Sequence, residues 1–532
     1  MKLYESSLPA GRNSFGQLVL SEWTKLRSVR AWKITVLLAV ILMIALAVVT
    51  GASSQSSMNG VPGHPYVPTG PGGESVTDTF YFVGQPLSDD GTITARVTSL
   101  VGLPTPNGFT CPGHAGSPAP GQPIPSNCTA VTAPPTAQAW AKAGLIIKAS
   151  DSGGSAYAAM MVTHSHGVRM QWDYVNDAAG ATGAVSAKSP RWLRLSRTGN
   201  VVTGYDSTNG LNWSEIDSVT LPTLPATVKV GLFVASPQLN LIQGHSGTTF
   251  PTQAKANFDH VTLDHAGASR RWQGLTIGGN DAYPAIPGSY RQASGVLAVT
   301  GSGDIAPAAI GGPAGVGQPL EITLVGGFLG LLVLIVLGTL FITSEYRRGL
   351  IRTTLAASPR RGRVLAAKAV MVGAVSFVVG VVAAAVSVTV GGALLRSNGN
   401  LIYPVSTLTE IRMIVGVGGV LAAGAILALA LGTIVRRGTG VIVGLLALFV
   451  LPEFLSAAAV LPAGAGEWLL RLTPAAGFAV EQSLRAFSQV SGPYWPQFGY
   501  YPLPQWAGFL VLCAYATAAL AIANYVLARR DV

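Results

Sequence analysis

The residues of this chain that could carry specific chemistry are concentrated in a basic block at 343–368, which reads T-S-E-Y-R-R-G-L-I-R-T-T-L-A-A-S-P-R-R-G-R-V-L-A-A-K. Its charged residues are one acid, Glu345, and seven bases: Arg347, Arg348, Arg352, Arg360, Arg361, Arg363 and Lys368. Long apolar runs flank the block, so the positive-inside rule predicts a cytoplasmic loop. Because Leu350, Ile351 and Leu355 are too apolar for a solvated linker, we expect this loop to dock on a cytoplasmic partner.

A nucleotide site is not predicted in this chain. The phosphate-binding pattern G-x-x-x-x-G-K-[ST] does not occur in the sequence. The glycine-rich run G-V-G-G-V-L-A-A-G lies inside an apolar span and indicates close helix packing. If ATP drives this protein, its energy must enter from another chain. The spans also contain no row of acids that would indicate a proton relay.

Glu453 is the acid that lies well inside an apolar run, beside Pro452 in L-F-V-L-P-E-F-L. Acids within the membrane are functional candidates by default, so Glu453 is a candidate intramembrane polar site. The alternative is an interfacial glutamate at the true end of its span. Glu481 and Arg485 are spaced i,i+4 and predict an ordinary helix pair.

Two further pairs, both between the first two apolar spans, could carry chemistry. Glu215 and Asp217 alternate in N-W-S-E-I-D and would share one strand face, as the paired carboxylates of a glycosidase do. They follow an N-G turn, however, where a solvated face explains them equally. His164 and His166 have no evident third ligand for a metal. We therefore predict no catalytic and no metal-binding residue.

Cys111 and Cys128 lie in a segment rich in Pro and Gly that we expect outside the cell. An oxidising compartment favours pairing, so a disulfide between them is predicted. Two free thiols are the alternative, and the spacing matches no zinc pattern.

The composition indicates a membrane protein. Of 532 residues, 49% are hydrophobic and 11% are charged, and the mean hydropathy is +0.43, whereas soluble domains carry about 25% charged residues. The isoelectric point is near 9.7, but the excess bases lie in short loops beside apolar spans. A nucleic-acid partner would need a basic stripe on a folded surface, so none is expected.

Six apolar runs approach the ~20 residues that a helix needs to cross the hydrocarbon. These predicted transmembrane helices are residues 32–50, 322–343, 367–395, 411–435, 440–462 and 504–527. The first is interpreted as an uncleaved anchor, because its leader is too long for a signal peptide. The basic residues beside the spans place both termini, including the tail 528–532, in the cytoplasm and residues 51–318 outside.

Two segments beside the spans have patterns of their own. Residues 1–31 contain Phe15, Leu18 and Trp23 at helical spacing, which predicts an amphipathic helix in the inner interface. A helix packed on another cytoplasmic element is a compatible alternative. Residues 463–503 follow the Pro-interrupted fifth span and are predicted to form an extracellular re-entrant segment.

The insertion between the first two spans reads as a linker at 51–73 and one all-β domain at 74–318. Short runs such as V-K-V-G-L-F-V alternate apolar and polar residues, and Asn209-Gly210 is a tight-turn signal. Many short strands with turn signals predict an antiparallel β-sandwich. The fold class expected is therefore a polytopic α-helical membrane protein carrying a large extracellular β-sandwich.

The insertion resembles the concanavalin-like lectin and glucanase jelly rolls over about 75–265. The resemblance is carried by A-K-A-G-L-I-I-K-A-S, A-A-M-M-V-T-H-S-H-G-V-R-M-Q-W, P-R-W-L-R-L-S-R-T-G-N-V-V-T-G-Y-D-S-T-N-G-L-N-W and V-K-V-G-L-F-V-A-S-P. Such folds host both sugar binders and hydrolases, so the fold does not give the function. Glycan, cell wall or another protein all remain possible ligands.

The rest of the chain resembles the permease subunits of type-2 ATP-binding-cassette (ABC) exporters. S-E-W-T-K-L-R-S-V-R-A-W before the first span is similar to the family's opening in high-GC Gram-positive bacteria. The basic block is similar to its coupling segment, which spans 344–366 here. The matching positions are Glu345, Gly349, Thr353, Thr354, Leu355, Pro359, Arg361 and Lys368. The family often has an acid just after the Gly-Thr step, where this chain has Arg352-Thr353-Thr354, so we expect its docking contacts to differ in detail.

The resemblance implies an exporter permease in the bacterial plasma membrane that moves an unidentified substrate outward. A separate ATPase subunit would hold ATP and Mg²⁺, and this chain would hold no cofactor. The coupling contacts implied are Glu345, Arg347, Arg348, Gly349, Arg352, Thr353, Pro359, Arg360, Arg361 and Arg363, with Pro359 ending the docking helix. A second permease copy or homologue would complete the pathway.

Three alternatives stay open at this point. The basic block could bind anionic lipid instead of a protein. The chain could be a membrane-anchored glycan-binding or sensor protein, or a tethered glycosidase. A single anchor would suffice for either of the last two, so six spans favour the permease.

Overall fold

A computed structural model of the chain describes residues 14–54, 57–58, 61–62, 67–110, 129–133, 137–243, 246–265, 271–278, 286–308, 317–357, 360–457, 461, 463–484, 486–490 and 500–529. Cys111 and Cys128 lie outside these residues, as do Pro359 and Arg485. The predicted disulfide, the predicted end of the docking helix and the predicted Glu481–Arg485 pair therefore lie outside the described residues.

The helices in the described residues are α1 Phe15–Ser28, α2 Arg30–Ser53, α3 Gly326–Arg347, α4 Leu350–Ala357, α5 Arg361–Ser397, α6 Thr407–Val435, α7 Gly438–Ala457, α8 Ala463–Leu472 and α9 Gln505–Arg529. Two 3-10 segments, Leu320–Leu324 before α3 and Pro474–Glu481 after α8, continue this set. Six of the helices in the described part of the chain are long and apolar enough to cross a membrane: α2, α3 with its 3-10 extension, α5, α6, α7 and α9. This confirms the predicted number of spans.

Several helix ends extend past the apolar runs. α3 continues to Arg347 and α5 begins at Arg361, so the connection between them is shorter than the apolar pattern indicated. Charged side chains continue a helix without difficulty once it leaves the hydrocarbon, because arginine is a good helix former. α7 continues through Pro452 to Ala457, so the proline does not end this helix.

Helix α1 begins at a capping residue and ends at an extended one. The Ser14 hydroxyl accepts a hydrogen bond from the Gln17 N–H at 3.3 Å, and Val29 has φ −89° and ψ 116° between α1 and α2. Glu22 and Leu26 are buried against the bundle, whereas Trp23 is 40% exposed. The helix therefore packs on the bundle with one face and leaves an apolar residue on another.

Helices α2 and α3 approach closely where α3 has glycine. A β-carbon at Gly326 would lie 2.4 Å from the Met43 carbonyl oxygen, and one at Gly330 would lie 2.5 Å from the Met43 sulfur. Such small-residue contacts let two helix backbones pack without intervening side chains.

The strands are β1 Ser57–Met58, β2 Val61–Pro62, β3 Val76–Asp78, β4 Phe80–Ser88, β5 Gly91–Leu103, β6 Thr105–Thr110, β7 Thr129–Ala133, β8 Lys142–Lys148, β9 Tyr157–Thr163, β10 Val168–Trp172, β11 Asn176–Ala179, β12 Arg191–Thr198, β13 Val201–Ser207, β14 Ser214–Thr220, β15 Thr227–Ala235, β16 Leu239–Gln243, β17 Ser246–Phe250, β18 Gln253–His265, β19 Gln273–Ile277, β20 Ser289–Ala293, β21 Val296–Ser302, β22 Ile305–Pro307, β23 Gly317–Gln318 and β24 Leu401–Ile402. All but β24 precede α3, and we call this part of the chain the β region.

Two seven-stranded antiparallel sheets dominate the β region. The first has the strand order β11-β10-β9-β8-β15-β4-β19, and the second β14-β13-β12-β5-β18-β21-β20. One hydrophobic core contains side chains from both sheets, among them Leu145 and Met160 of the first and Ile93 and Leu193 of the second. Strands β8 and β9 are buried along their whole length, so the first sheet is covered on both faces.

Two buried ion pairs attach the short β3–β22 ribbon to strand β8. Lys142 Nζ lies 2.7 Å from Asp304 Oδ1, and Lys148 Nζ lies 2.7 Å from Asp78 Oδ2. All four side chains are at most 2% exposed. Each lysine has its own acid, so the buried charges cancel pairwise.

The β region contacts the helix bundle at one end, which we call the β end. Strand β23 pairs in parallel with β24, between α5 and α6. Gln489, which precedes α9, donates a 3.1 Å hydrogen bond from Nε2 to the carbonyl oxygen of Tyr174. Val490 and Phe487 pack against Ala306 of β22. The segment before α9 therefore joins the β region to the bundle.

Candidate functional site

The basic block forms helix α4 and the turn that leads into it. The Arg348 N–H donates to the Ser344 carbonyl at 3.1 Å, and the Gly349 N–H donates to the Tyr346 carbonyl at 3.2 Å. Gly349 has φ +66°. A left-handed residue is how many helices end, and glycine adopts it without strain. The chain therefore turns sharply after α3 and places α4 at the end of the bundle opposite the β end, which we call the α4 end.

Most of the predicted coupling residues are exposed. They are Arg347, Arg348, Gly349, Arg352, Thr353 and Arg360. Leu350 is 47% exposed, whereas Ile351 is 4% exposed and belongs to the core of the helix bundle. Ile351 thus holds α4 against the bundle while basic and apolar side chains face outward, which is suitable for binding an acidic and partly apolar surface.

Four charged side chains of α1, α3 and α5 form a compact group, the Lys368 cluster, made of Glu22, Lys25, Glu345 and Lys368. Lys368 Nζ lies 2.7 Å from Glu345 Oε1 and 2.8 Å from Glu22 Oε2. Lys25 Nζ lies 2.8 Å from Glu22 Oε1 and 3.2 Å from Glu345 Oε1. The cluster ties α1, α3 and α5 together.

The Lys368 cluster contains two acids and two bases, so its charges balance. Its members are buried to different extents. Lys368 is fully buried and Glu22 is 2% exposed, while the Lys25 side chain is 41% exposed. Burial opposes the charged form of Lys25, but hydrogen bonds and charges from Glu22 and Glu345 outweigh it and raise the pKa of Lys25. Removing one partner from a buried group of this kind typically costs about 3–5 kcal/mol.

Glu345 has a different place from the one that the sequence pattern indicated. It is 7% exposed and accepts from both lysines, so it faces the interior of the bundle rather than the outer face of α4. The structure also adds Glu22 and Lys25, which the sequence offered only as the polar side of an amphipathic helix. Their signal in the sequence is weak, since polar residues on such a helix are expected anyway.

Two further basic residues at this end, Arg361 and Arg436, make contacts within the bundle. Arg361 Nη1 donates a 2.9 Å hydrogen bond to the Leu527 carbonyl near the end of α9. The Arg436 guanidinium lies 5.0 Å from the centre of the Tyr346 ring. Arg363 is half-buried. These contacts gather α3, α5, α6 and α9 around the start of α4.

Glu453 lies far from α4, near the β end. It is half-buried, and the Tyr501 hydroxyl donates a hydrogen bond to its Oε1. Tyr501 precedes α9 in the chain. The candidate intramembrane acid is therefore engaged with a residue from the segment that reaches toward the β region.

The candidate pairs of the β region do not assemble a reaction centre. Glu215 is exposed, and Asp217 Oδ1 accepts from the N–H of Ser218 at 2.8 Å. The His166 ring stacks on Trp140 with centroids 3.9 Å apart. Among the residues that the structure describes, no group of three His, Cys, Asp or Glu side chains could hold a metal ion.

Exposed tryptophan rings can stack on a sugar, but Trp192 and Trp213 of the β region already have other side chains against their rings. The Arg194 guanidinium lies 3.8 Å from the centre of the Trp213 ring. Arg96 and His260 lie against the ring of Trp192 at 5.6 Å and 5.1 Å. Each of these two rings therefore already has a basic side chain against it.

A comparison with known protein families gives a match that covers most of the helix bundle and α4. The model of a family described as ABC-2 family transporter protein matches residues 201–532, which is more than half of the chain. The chain belongs to the ABC-2 transporter family. Members of this family are membrane subunits of ABC transporters rather than enzymes, and they generally work in a lipid bilayer with an ATP-binding subunit. The ABC-2 match includes all of the helices from α3 to α9.

Comparisons with other proteins add little to the ABC-2 assignment. No curated protein matches the chain. A functionally unknown protein from Saccharomyces cerevisiae is 13% identical, with 40% of this chain and 87% of that one covered and a TM-score of 0.21. Scytalido-glutamic peptidase with a transition state analog inhibitor is 8% identical, with 42% and 98% covered and a TM-score of 0.25. SCP-B, of the Eqolisin family of peptidases, is 7% identical, with 42% and 98% covered and a TM-score of 0.22. Likenesses this low carry no argument about this chain.

Proposed function

We propose that this chain is the membrane-spanning subunit of an ABC exporter and that its α4 end receives the force of ATP hydrolysis. A separate ATPase subunit would bind ATP and Mg²⁺ and dock on the exposed residues around α4. Its closure would move α4, and the helix bundle would rearrange to pass a substrate outward. The substrate itself stays open, because the spans offer no distinctive pocket chemistry.

The observation that carries this proposal is the attachment of α4 to the bundle. Ile351 anchors the helix in the core. The Lys368 cluster joins α1, α3 and α5, and its Glu345 lies near the end of α3, just before α4 in the chain. A push on the exposed Arg348 or Arg352 would therefore reach three helices at once. Glu345 acts in this proposal as a positioning residue, whereas Arg347, Arg348, Arg352 and Arg360 contact the ATPase.

We also infer that the β end is extracellular and the α4 end cytoplasmic, in a bacterial plasma membrane. The basic residues around α4 support this orientation through the positive-inside rule. The β region lies between α2 and α3 in the chain and contacts the opposite end of the bundle. Its two seven-stranded sheets and shared core support the resemblance to a concanavalin-like jelly roll.

A second permease copy or homologue would complete the transport pathway. Helix α2 exposes Ile34, Leu37, Leu38, Ile41 and Val49, each at least 44% exposed. Such a face must be covered by lipid or by another helix.

The α4 surface is tested by charge reversal. Arg347→Glu combined with Arg348→Glu should weaken binding of the cognate ATPase by tenfold or more, since opposed like charges cost several kcal/mol and ~1.4 kcal/mol is tenfold. Binding and permease-stimulated ATP hydrolysis would be measured with the purified full chain in lipid nanodiscs. Arg291→Glu, an exposed arginine on β20, is the matched control.

The result also separates the alternatives. Unchanged ATPase binding and stimulation in the double variant would overturn the docking role. A loss confined to binding of anionic vesicles would instead favour the lipid-binding alternative. A protein that binds a glycan through the β region but no ATPase would favour the anchored glycan-binding alternative.

A further inference from the structure

A second group of charged side chains lies at the β end of the bundle. We call it the Glu481 cluster, and its members are Glu321, Arg412, Glu453, Glu481 and Tyr501. They come from five different parts of the chain: the 3-10 segment before α3, α6, α7, the 3-10 segment after α8, and the segment before α9. No two of its acids are close in sequence, so only the packing of the bundle brings them together.

The residues at 481–483 form the centre of this cluster. Glu321 Oε2 accepts from the Ser483 N–H at 3.1 Å and from the Ser483 hydroxyl. Arg412 donates to the Gln482 carbonyl oxygen. The Gln482 side chain bonds the Tyr501 backbone at both its carbonyl, 3.1 Å, and its N–H, 3.3 Å. The Tyr501 hydroxyl in turn donates to Glu453.

Glu481 has one carboxylate oxygen that accepts no hydrogen bond from the described residues. It is 8% exposed, and among the described residues none donates a hydrogen bond to its Oε1. This oxygen points toward α3, since a β-carbon added at Gly327 would lie 3.4 Å from it. One oxygen of Glu321 is likewise buried without a hydrogen bond from the described residues. Native proteins rarely leave a buried carboxylate in this state, because ionised groups out of water need a partner.

The charges of the described members of the cluster do not cancel. Glu481 interacts electrostatically with both Glu321 and Glu453, and in the described residues the cation of the cluster is Arg412. Other charged groups lie on the packed elements. Glu410 is in the first turn of α6, Arg471 of α8 pairs with Glu467 at 3.2 Å, and Arg529 is at the far end of α9. In the described part of this cluster, three carboxylates thus accompany one guanidinium, and that guanidinium interacts with Glu321.

We propose that the Glu481 cluster is a proton-binding site, with the proton held on Glu481 while the β end is closed. Binding converts the carboxylate and a proton into a neutral carboxylic acid, and release reverses this when water reaches the group. A proton needs no cavity, which suits an oxygen with no accessible surface. The described residues supply no group of three ligands for a metal ion. This site is independent of the ATPase docking proposed above.

The physical cause of proton binding is the environment of Glu481. Burial, and then the negative charges of Glu321 and Glu453, raise the pKa of Glu481 well above its ordinary value. In an open state, water would restore the pKa toward about 4.3. The closed state therefore binds more protons, so its advantage is present at low pH and is lost as pH rises through the closed-state pKa. Higher pH at the β end favours opening.

Infrared difference spectroscopy of the purified full chain in nanodiscs tests the site without any ATPase. At about pH 8, well above the ordinary glutamate pKa of about 4.3, the wild type should retain a C=O stretching band of a protonated carboxylic acid. Glu481→Gln should remove that band, and Glu410→Gln, on the neighbouring α6, should leave it. A loss of the band in Glu453→Gln or Glu321→Gln alone would move the proton to that residue and overturn its assignment to Glu481.

If a variant fails to fold, the wild-type spectrum alone can still overturn the proposal. Absence of any protonated carboxyl band at about pH 8 would show that all the carboxylates are ionised and would sink the idea. Failure of this experiment would leave the ATPase-binding result of the Arg347 and Arg348 variants unaffected, so the two proposals fail separately.

Discussion

The two ends of the helix bundle hold buried charges in opposite ways. In the Lys368 cluster two acids face two lysines, and every ion pair lies between 2.7 and 3.2 Å. In the described residues the Glu481 cluster contains three acids and one arginine, and Oε1 of Glu481 accepts no hydrogen bond. The 22 residues of α3 separate the clusters, which is roughly 33 Å of helix.

The difference indicates two physical roles. A balanced cluster holds its helices together at any pH where its acids and lysines are charged, so it suits an element that transmits force. An unbalanced cluster is stable only when it binds an added positive charge such as a proton, so its stability depends on pH. The β region resembles the first case, since Lys142 and Lys148 each have one buried acid.

The largest expected effect comes from Lys368→Met in the balanced cluster. The variant leaves Glu22 and Glu345 facing each other, with only the partly exposed Lys25 to compensate. We expect a loss of about 3–5 kcal/mol in the free energy of unfolding, measured as a lower Tm of the purified chain. Lys33→Met, an exposed lysine on α2, is the control.

A second change tests whether the loss comes from charge. Combining Glu345→Gln with Lys368→Met removes one acid along with its lysine and should recover part of the lost stability, because the two residues interact directly. Equal Tm values for the Lys368 and Lys33 variants would show that the cluster contributes nothing.

Arg412→Met should have the next largest effect, in the unbalanced cluster. It removes the guanidinium and leaves the Gln482 carbonyl oxygen without this donor. A hydrogen bond from a charged group is worth about 1.5–3 kcal/mol, and we expect a loss of that size at about pH 8. The loss should shrink on acidification, because the acids are then protonated. Arg396→Met, exposed at the end of α5, is the control, and a pH-independent loss would contradict the contrast between the clusters.

Glu481→Gln should change how stability depends on pH. The pKa of Glu481 is higher in the folded chain than in the unfolded chain, where it is about 4.3. The resulting contribution to stability is fully present below about pH 4.3 and is lost as pH rises through the folded-state pKa. The variant should therefore lose less stability than the wild type over this range, by about 1.4 kcal/mol for each unit by which the folded pKa is raised. Thermal unfolding between acid and mildly alkaline pH measures this, and parallel curves would refute it.

The smallest effect is expected from Lys25→Met, in the balanced cluster. The Lys25 side chain is 41% exposed, so solvent screening limits its pairs to about 0.5–1 kcal/mol. Because its folded pKa is raised, that contribution is present below the unfolded value of about 10.4 and is lost as pH rises through the folded value. If Lys25→Met lowered the free energy of unfolding as much as Lys368→Met, burial would not determine the order of these effects.

The sequence pattern anticipated much of the fold from local signals. The predicted number of spans agrees with the helices, because a bilayer demands long apolar runs whatever the helices later contact. Predicted strands such as Thr92–Ser99 and Thr227–Ala235 fall within β5 and β15. Helix ends were less predictable, since α3 and α5 continue into charged residues that the apolar pattern excludes.

Neither cluster could be predicted from local sequence signals as the spans and strands were. Glu453 stood out alone, Glu481 suggested an ordinary helix pair, and no row of acids appeared along any span. Glu321, Glu453 and Glu481 belong to separate elements, so only the packing of those elements makes them neighbours. The same holds for Glu22 and Lys368, which are joined at 2.8 Å.

The sequence by itself determined the membrane class, the number of spans and the position of the basic block, because hydropathy and loop charge act locally along the chain. Tertiary structure alone decided which charges are neighbours, and therefore which are neutralised. Electrostatic energy depends on distance and burial rather than on order in the chain. For that reason Glu345 is an internal partner of Lys368, whereas Oε1 of Glu481 accepts no hydrogen bond from the described residues.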